Sequence, residues 1–218
     1  MIAGVDEAGR GPVIGPMVIT VFYCDEKQLP ELKKIGVKDS KLLTDNQRKN
    51  IEAKLKKLGS WKKTIITAKE INEQMKKKVS LNELEAEKIG LMLNEIEFEK
   101  AFIDSPDADG KKFEKRIKKY YNKKGVLICE NHADKNHLVV GAASIIAKNQ
   151  REDEIKKIAE KIGFFGSGYP SDERTIKFIK KNLNKTELKN YLRTEWSTIE
   201  KIKNELKQKT IQKNLWQF

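Results

Sequence analysis

The sequence predicts an α/β protein in which a mixed β-sheet is flanked by helices and followed by a C-terminal helical extension. Short apolar runs that end at glycine, proline or acidic residues indicate strands, and they alternate with segments whose apolar residues recur at helical spacing. From residue 183 to residue 209 the chain is lysine-rich, and its apolar residues form one helical stripe. A chain of 218 residues can bury one substantial core. We therefore expect one main domain over residues 1–182 and a helical region over residues 183–218.

The first two strands are the apolar runs 2–5 and 17–24, and the string Asp6-Glu7-Ala8-Gly9-Arg10-Gly11-Pro12 lies between them. Successive side chains alternate along an extended strand, so we expect the glycines to bend the chain and bring both carboxylates to one site. Glycine also lets a backbone approach a ligand closely, and Arg10 adds a permanent cation. These residue types together are suited to binding a phosphodiester through a metal ion. A solvated surface turn is the alternative for so short a motif taken alone.

Capping boxes begin two predicted helices, one at Thr44 with Gln47 and one at Ser80 with Glu83. The β-branched run 64–67 predicts a strand between these helices. Residues 139–148 read as a helix of small residues that can lie close against a sheet.

Two more acids follow strand-like runs. Asp104 ends the run 101–104, and Asp134 comes soon after the run 125–129. Either acid alone could simply cap a helix. Four carboxylates gathered at one place would repel one another, and divalent cations would remove that cost. Ligation by oxygen alone favours Mg²⁺ or Mn²⁺.

Several strings together resemble the motifs of the type 2 ribonucleases H, the ribonuclease HII family, in their archaeal-like form. The opening string continues through Ile14-Gly15-Pro16 in the manner of that family. Asp104 with Asp107 and Asp109 resembles its Asp-x-x-Asp-x-Asp context. Two further strings resemble signatures of the family: Ala133-Asp134 with Ala142-Ala143-Ser144-Ile145-Ile146-Ala147-Lys148, and Gly166-Ser167-Gly168-Tyr169. The resemblance implies a ribonuclease H-like sheet and four catalytic, metal-binding acids: Asp6, Glu7, Asp104 and Asp134.

The resemblance also implies the reaction and its substrate. The expected enzyme is an endoribonuclease that hydrolyses the RNA strand of RNA·DNA hybrids and cuts 5′ to ribonucleotides embedded in duplex DNA. Two metal ions, Mg²⁺ or Mn²⁺, would leave 5′-phosphate and 3′-hydroxyl ends. Gly9, Arg10, Gly11 and Tyr169 would read the sugars, and Lys41, Ser144 and Lys148 would contact the substrate backbone. Two alternatives stay open: a metal-dependent DNA nuclease of the same superfamily, and a non-enzymatic nucleic-acid-binding protein.

The charge and the chain ends bear on the partners. A net charge of +13 suits a partner that carries phosphates, although lysine-rich composition also serves solubility. Gln212, Leu215 and Phe218 resemble the peptide by which replication proteins bind a sliding clamp; an amphipathic tail is the alternative. Cys24 and Cys129 lack partners at metal-ligand spacing and suggest a reducing compartment. With neither a signal peptide nor a bilayer-spanning run in the sequence, we expect a cytoplasmic monomer.

Overall fold

The computed structural model describes residues 1–37 and 43–215, with side chains through residue 208. Its strands form one mixed five-stranded sheet. They are β1 (Ile2–Ala8), β2 (Met17–Cys24), β3 (Ser60–Ile66), β4 (Lys100–Asp104) and β5 (Val126–Glu130). The order across the sheet is β3-β2-β1-β4-β5. β1 pairs antiparallel with β2 and parallel with β4, so it lies at the centre. The predicted mixed sheet is confirmed.

The edge strand β3 is longer than the sequence pattern predicted. It begins at Ser60 instead of residue 64, and it pairs antiparallel with β2 along its whole length. The added residues include Lys62 and Lys63, which are poor strand formers by propensity. Lysines are nonetheless common on edge strands, where they discourage pairing with another chain. Position at the edge of the sheet therefore outweighed local propensity.

The helices cover both faces of the sheet. They are α1 (Leu29–Lys34), α2 (Asp45–Leu55), α3 (Ala68–Lys76), α4 (Leu81–Leu93), α5 (Gly110–Ile117), α6 (Ala133–Asn136), α7 (Leu138–Ile162), α8 (Glu173–Asn182), α9 (Thr186–Lys189) and α10 (Ser197–Leu215). The capping box of Thr44 with Gln47 is confirmed, and Ser80 accepts from the Glu83 N–H at the start of α4. α1 and α3 were not predicted. α7 continues well beyond residue 148 because Ile155, Ile158 and Ile162 prolong its apolar stripe.

One apolar cluster packs α4 and α5 against one face of the sheet, and a second packs α1, α2 and α7 against the other. α7 lies directly against the central strand. A Cβ at Gly4 would stand 2.2 Å from the Val139 carbonyl carbon, so only glycine permits this approach. The small residues of α7 thus bring its backbone, and with it Ser144 and Lys148, close to the end of β1.

The C-terminal region is not the single helical stripe that the sequence pattern suggested. Between α9 and α10, residues 190–196 run back to the connection between β1 and β2. Gly15 donates to the Tyr191 carbonyl at 2.9 Å, and Arg193 donates to the Val13 carbonyl at 2.9 Å. Apolar residues of α7, of this segment and of α10 form a third cluster around Ile14. The boundary predicted at residue 182 falls at the end of α8, and the division into two regions stays a prediction.

No helix within residues 1–37 and 43–215 combines the length and the apolar character that a bilayer crossing needs.

Candidate active site

The sheet brings Asp6 and Asp104 together. β1 and β4 are parallel, and their register pairs Val5 with Ile103, so the next residue of each strand is one of these acids. Because parallel strands end at the same edge of a sheet, their terminal side chains share one space. Oxygen atoms of Asp6, Glu7 and Asp104 all lie within 4.8 Å of one another. Three of the four predicted acids therefore form one cluster.

The chain does bend at the glycines, but the bend follows the two acids and is not what brings them together. Asp6 and Glu7 are inside β1, which stays extended and paired with β2 through Ala8. Their side chains obey the alternation of a strand: Asp6 lies near Ser144 of α7 on one face, and Glu7 lies near Glu85 of α4 on the other. Both carboxylates nevertheless reach the same place, since they stand at the end of the strand.

Asp134 lies beside this cluster without belonging to it. It is a buried residue of α6, only 6% exposed. The preceding residue, Ala133, donates its N–H to Asp104 Oδ1 at 2.7 Å, which ties the start of α6 to the end of β4. The structure thus places Asp134 next to a member of the cluster. Its role as a fourth metal ligand stays a prediction.

The protein environment disfavours the charged form of these acids. Burial, then the nearby Glu7 and Asp104, hold the pKa of Asp6 well above its ordinary range, and the Ser144 hydroxyl partly offsets this rise. Burial, Glu85 and Asp104 raise the pKa of Glu7 to about 8, against the lowering effect of Arg10. Removal of carboxylates from water and their mutual repulsion explain both shifts. A bound cation would reverse them, and an all-oxygen donor set fits a hard divalent ion.

Glycine shapes the loop that follows the acids. Gly9 has a φ of +84°, and a Cβ there would stand 2.7 Å from the Pro16 carbonyl oxygen and from the Arg151 side chain. A Cβ at Gly11 would contact the Tyr169 ring at 3.6 Å. The Tyr169 loop is itself fastened to the same region, because Val13 donates to the Gly168 carbonyl at 2.7 Å. The structure therefore brings the Gly-Arg-Gly string and the predicted tyrosine together.

The side chain of Arg10 turns towards α4, where its guanidinium bonds to Glu85 and Asn82. Glu85 is completely buried, and its other carboxylate oxygen has no hydrogen-bond partner in the described part of the chain. Burial raises the pKa of Glu85 to about 7, and Asp6 and Asp104 add to the rise while Arg10 opposes it. Glu85 was missed in the sequence, where it reads as one more acid on a helix that begins at Ser80.

A cleft of ≈ 400 Å³ adjoins the acids. It is lined by six predicted residues: Glu7, Gly9, Arg10, Gly11, Lys148 and Tyr169. The sequence did not single out the other charged residues of its wall, Arg48, Arg151 and Glu152. Ser144 is buried beside Asp6. Lys41 lies outside the described residues.

Arg151 contacts both the Tyr169 ring and the loop that carries it. Its guanidinium lies 5.0 Å from the centre of the Tyr169 ring, and it donates to the Ser167 carbonyl at 3.0 Å. It was missed because it follows the recognisable small-residue stretch of α7 by less than one helical turn. An arginine among the lysines of that helix was the available signal, since only arginine offers a planar fork.

With this geometry in place, comparison with known proteins identifies the family. The family model described as Ribonuclease HII matches residues 3–199. The chain belongs to the ribonuclease HII family. It is 40% identical to ribonuclease HII of Pyrococcus furiosus over 221 residues, covering 100% of this chain and 97% of the relative. Accordingly it is a metal-dependent endoribonuclease that acts on the RNA strand of RNA·DNA hybrids.

Solved structures of this family agree with the fold. Ribonuclease H2 from Pyrococcus horikoshii OT3 is 44% identical and superposes with a TM-score of 0.84, covering 94% of this chain and 98% of the other. A PCNA–ribonuclease HII complex from Archaeoglobus fulgidus contains a chain that is 34% identical, with a TM-score of 0.84 and coverage of 93% and 96%. The ribonuclease H-like fold expected for this ribonuclease HII is therefore confirmed.

Proposed function

We propose that this ribonuclease HII cuts on the 5′ side of ribonucleotides, both within RNA·DNA hybrids and where a single ribonucleotide is embedded in duplex DNA. The observation that carries the proposal is the three-carboxylate cluster at the end of β1 and β4, which opens onto a cleft walled by a glycine loop and a tyrosine. The products would be 5′-phosphate and 3′-hydroxyl ends.

Asp6, Glu7, Asp104 and Asp134 would hold the divalent ions, Mg²⁺ or Mn²⁺. When bound, two such ions supply a water-derived nucleophile and stabilise the leaving oxygen in an in-line displacement at phosphorus. The acids of this chain would supply the oxygen ligands, and the N–H of Ala133 donates to Asp104 Oδ1 and so orients that carboxylate. No nucleophilic side chain is required.

Specificity must come from the 2′-hydroxyl, the group that distinguishes RNA from DNA at one nucleotide. The backbone of Gly9, Arg10 and Gly11 lines the cleft, and because its two glycines carry no side chain it can approach a sugar. Tyr169 beside Gly11 would pack on the deoxyribose that follows. Lys148, Ser144 and Lys41 would contact the substrate backbone.

The test uses three duplexes: DNA with one ribonucleotide, an RNA·DNA hybrid and all-DNA. Each is incubated with Mg²⁺, with Mn²⁺ and with EDTA, and the ends are mapped. We expect metal-dependent cutting 5′ to the ribonucleotide and none of the all-DNA duplex. Cutting of all-DNA would instead favour a DNA nuclease, and metal-independent cutting would contradict the two-ion mechanism.

Asp134→Asn tests the residue that the structure places beside the cluster. We expect loss of cleavage with retained binding of the hybrid, because the variant removes a ligand charge and preserves the shape of the side chain. Full activity of this variant would remove Asp134 from the metal site. Asp109→Asn serves as its control, since Asp109 caps α5 and an asparagine caps equally well.

The C-terminal residues Gln212, Leu215 and Phe218 would bind a sliding clamp. The clamp-bound structure of the Archaeoglobus fulgidus relative supports this partner. The side chains of residues 209–215 and all of Phe218 lie outside the described part of the chain. Removal of residues 212–218 should abolish binding to an archaeal clamp in a pull-down and leave cleavage of short duplexes unchanged.

We also propose a monomer in the cytoplasm, with a catalytic domain over residues 1–182 and a helical region over residues 183–218. The unpaired thiols of Cys24 and Cys129 support a reducing compartment.

A further inference from the structure

Arg193 is a buried cation behind the glycine loop. It has no exposed surface and stands in the segment between α9 and α10. All of the hydrogen bonds of its side chain go to main-chain carbonyls: Nε donates to Gly15 at 3.0 Å, Nη1 to Arg10 at 2.8 Å and Nη2 to Gly9 at 2.6 Å. Among the described residues, no carboxylate forms an ion pair with it. The guanidinium also lies 5.0 Å from the centre of the Trp196 ring.

Packing alone does not account for this residue. Burial, with the nearby Arg151 and Arg10, lowers the pKa of Arg193 to about 9. An apolar side chain of similar size would avoid the cost of desolvating a charge. The planar fork of arginine instead matches a set of carbonyl oxygens at fixed positions, which a lysine cannot bond simultaneously in the same way. Two of those oxygens belong to the string that lines the cleft.

The direction of these carbonyls determines where the loop presents its donors. In a trans peptide the C=O of one residue and the N–H of the next point in opposite directions, and the described residues contain no cis peptide bond. Arg193 holds the Gly9 and Arg10 carbonyls on the side away from the cleft, because Gly9, Arg10 and Gly11 line the cleft and Arg193 does not. The N–H groups of Arg10 and Gly11 must then point to the cleft side.

We propose that Arg193 is a positioning residue for sugar recognition. By fixing two carbonyls of the glycine loop, it aims the N–H groups of Arg10 and Gly11 at the 2′-hydroxyl of the ribonucleotide. The C-terminal segment thereby takes part in distinguishing ribose from deoxyribose, although none of its side chains lines the cleft. This inference rests on the proposed function, in which the loop reads the sugar.

Arg193→Lys tests the proposal, because it keeps the positive charge and removes the fork. The measurement is equilibrium binding in EDTA by fluorescence anisotropy, with duplex DNA that carries one ribonucleotide and with the matched all-DNA duplex. We expect the preference for the ribonucleotide to fall by about tenfold or more, the factor that corresponds to one charge-assisted hydrogen bond. Affinity for all-DNA should stay within about twofold, since the charge is retained. Arg174→Lys is the matched control, because Arg174 is exposed and pairs with Asp172.

Chemical rescue separates positioning from folding. Arg193→Ala should lose turnover on the embedded ribonucleotide, and added guanidinium should restore several-fold more turnover than ammonium at the same ionic strength. Thermal melting of both Arg193 variants shows whether they are folded at the assay temperature. A folded Arg193→Lys variant with the wild-type preference would overturn the inference, and so would equal rescue by ammonium and guanidinium. If the wild-type protein itself shows no preference in binding or cleavage, sugar reading by the loop fails, and the inference fails with it.

Discussion

Two neighbouring regions of this ribonuclease HII use opposite means to build a site. The acidic cluster consists of side chains that the sheet forces together, and both Glu7 and Asp104 oppose the ionisation of Asp6. The glycine loop consists of backbone groups, and a buried guanidinium stabilises their orientation. The cluster is therefore an unfavourable arrangement until a cation binds, whereas the loop is already held in place by the protein alone.

This difference predicts different responses to mutation. A change within the cluster should cost activity and relieve electrostatic repulsion in the metal-free protein. A change in the loop should cost both activity and stability, because the loop is a packed part of the fold.

Asp6→Asn should have the largest effect. Turnover should fall by about a thousandfold or more, since a lost metal ligand removes several kcal/mol of transition-state stabilisation. At pH 8 in EDTA the melting temperature should rise, because a buried, repelled carboxylate becomes neutral. Steady-state kinetics measure the fall in turnover, and thermal melting in EDTA measures the rise in melting temperature. A variant that loses activity and also stability in EDTA would contradict the account of the cluster.

Gly9→Ala should lower turnover by about a hundredfold and destabilise the fold by about 1–3 kcal/mol, because a side chain is strained at positive φ and meets the Pro16 carbonyl oxygen. Gly36→Ala is the matched control. Gly36 has a φ of +87°, and no atom of the described residues lies within 4 Å of a Cβ there. The control should lose some stability and keep its activity. Equal loss of activity in the two variants would show that strain alone is responsible.

The pH dependence of stability should reveal the cluster directly. The pKa of Glu7 is about 8 in the folded protein against an ordinary value of 4.5, so the folded state binds more protons between these values. The free energy of unfolding in EDTA should therefore fall as the pH rises from about 4.5 to 8, by up to about 1.4 kcal/mol per pH unit for one carboxyl. Saturating Mg²⁺ should reduce this fall, because it favours the ionised form. Denaturant titrations across this range, with and without Mg²⁺, test the expectation. Parallel curves would contradict it.

Lys148→Ala should have the smallest effect. Lys148 lines the cleft as a point charge, and a phosphate contact carries no information about the sugar. Affinity should fall a few-fold for the ribonucleotide-containing and all-DNA duplexes alike, and the slope of log affinity against log salt should decrease by about one. A selective loss for the ribonucleotide would instead place Lys148 in sugar recognition.

The sequence determined the strand-to-acid pattern, and from it the family, the mixed sheet and the identity of the clustered acids. Local periodicity predicted the strands and helices, and short strings such as residues 6–12 carried the family resemblance, which implied the mixed sheet and the acids. Pattern reasoning failed in assigning the convergence of Asp6 and Glu7 to the glycine bend, which lies after both residues. The apolar run 2–5 does not reveal that the paired strand continues to Ala8.

Only the tertiary structure placed Glu85 beside Glu7 and Arg193 behind the glycine loop. Arg193 is separated from Gly9 by most of the chain, and its fork acts through carbonyls that every residue possesses. No local pattern marks such a contact, because main-chain acceptors are identical at every position. The one visible signal was an arginine in a C-terminal region whose other cations are lysines. Its meaning depended on residues 190–196 turning back to the first strand, which packing decided.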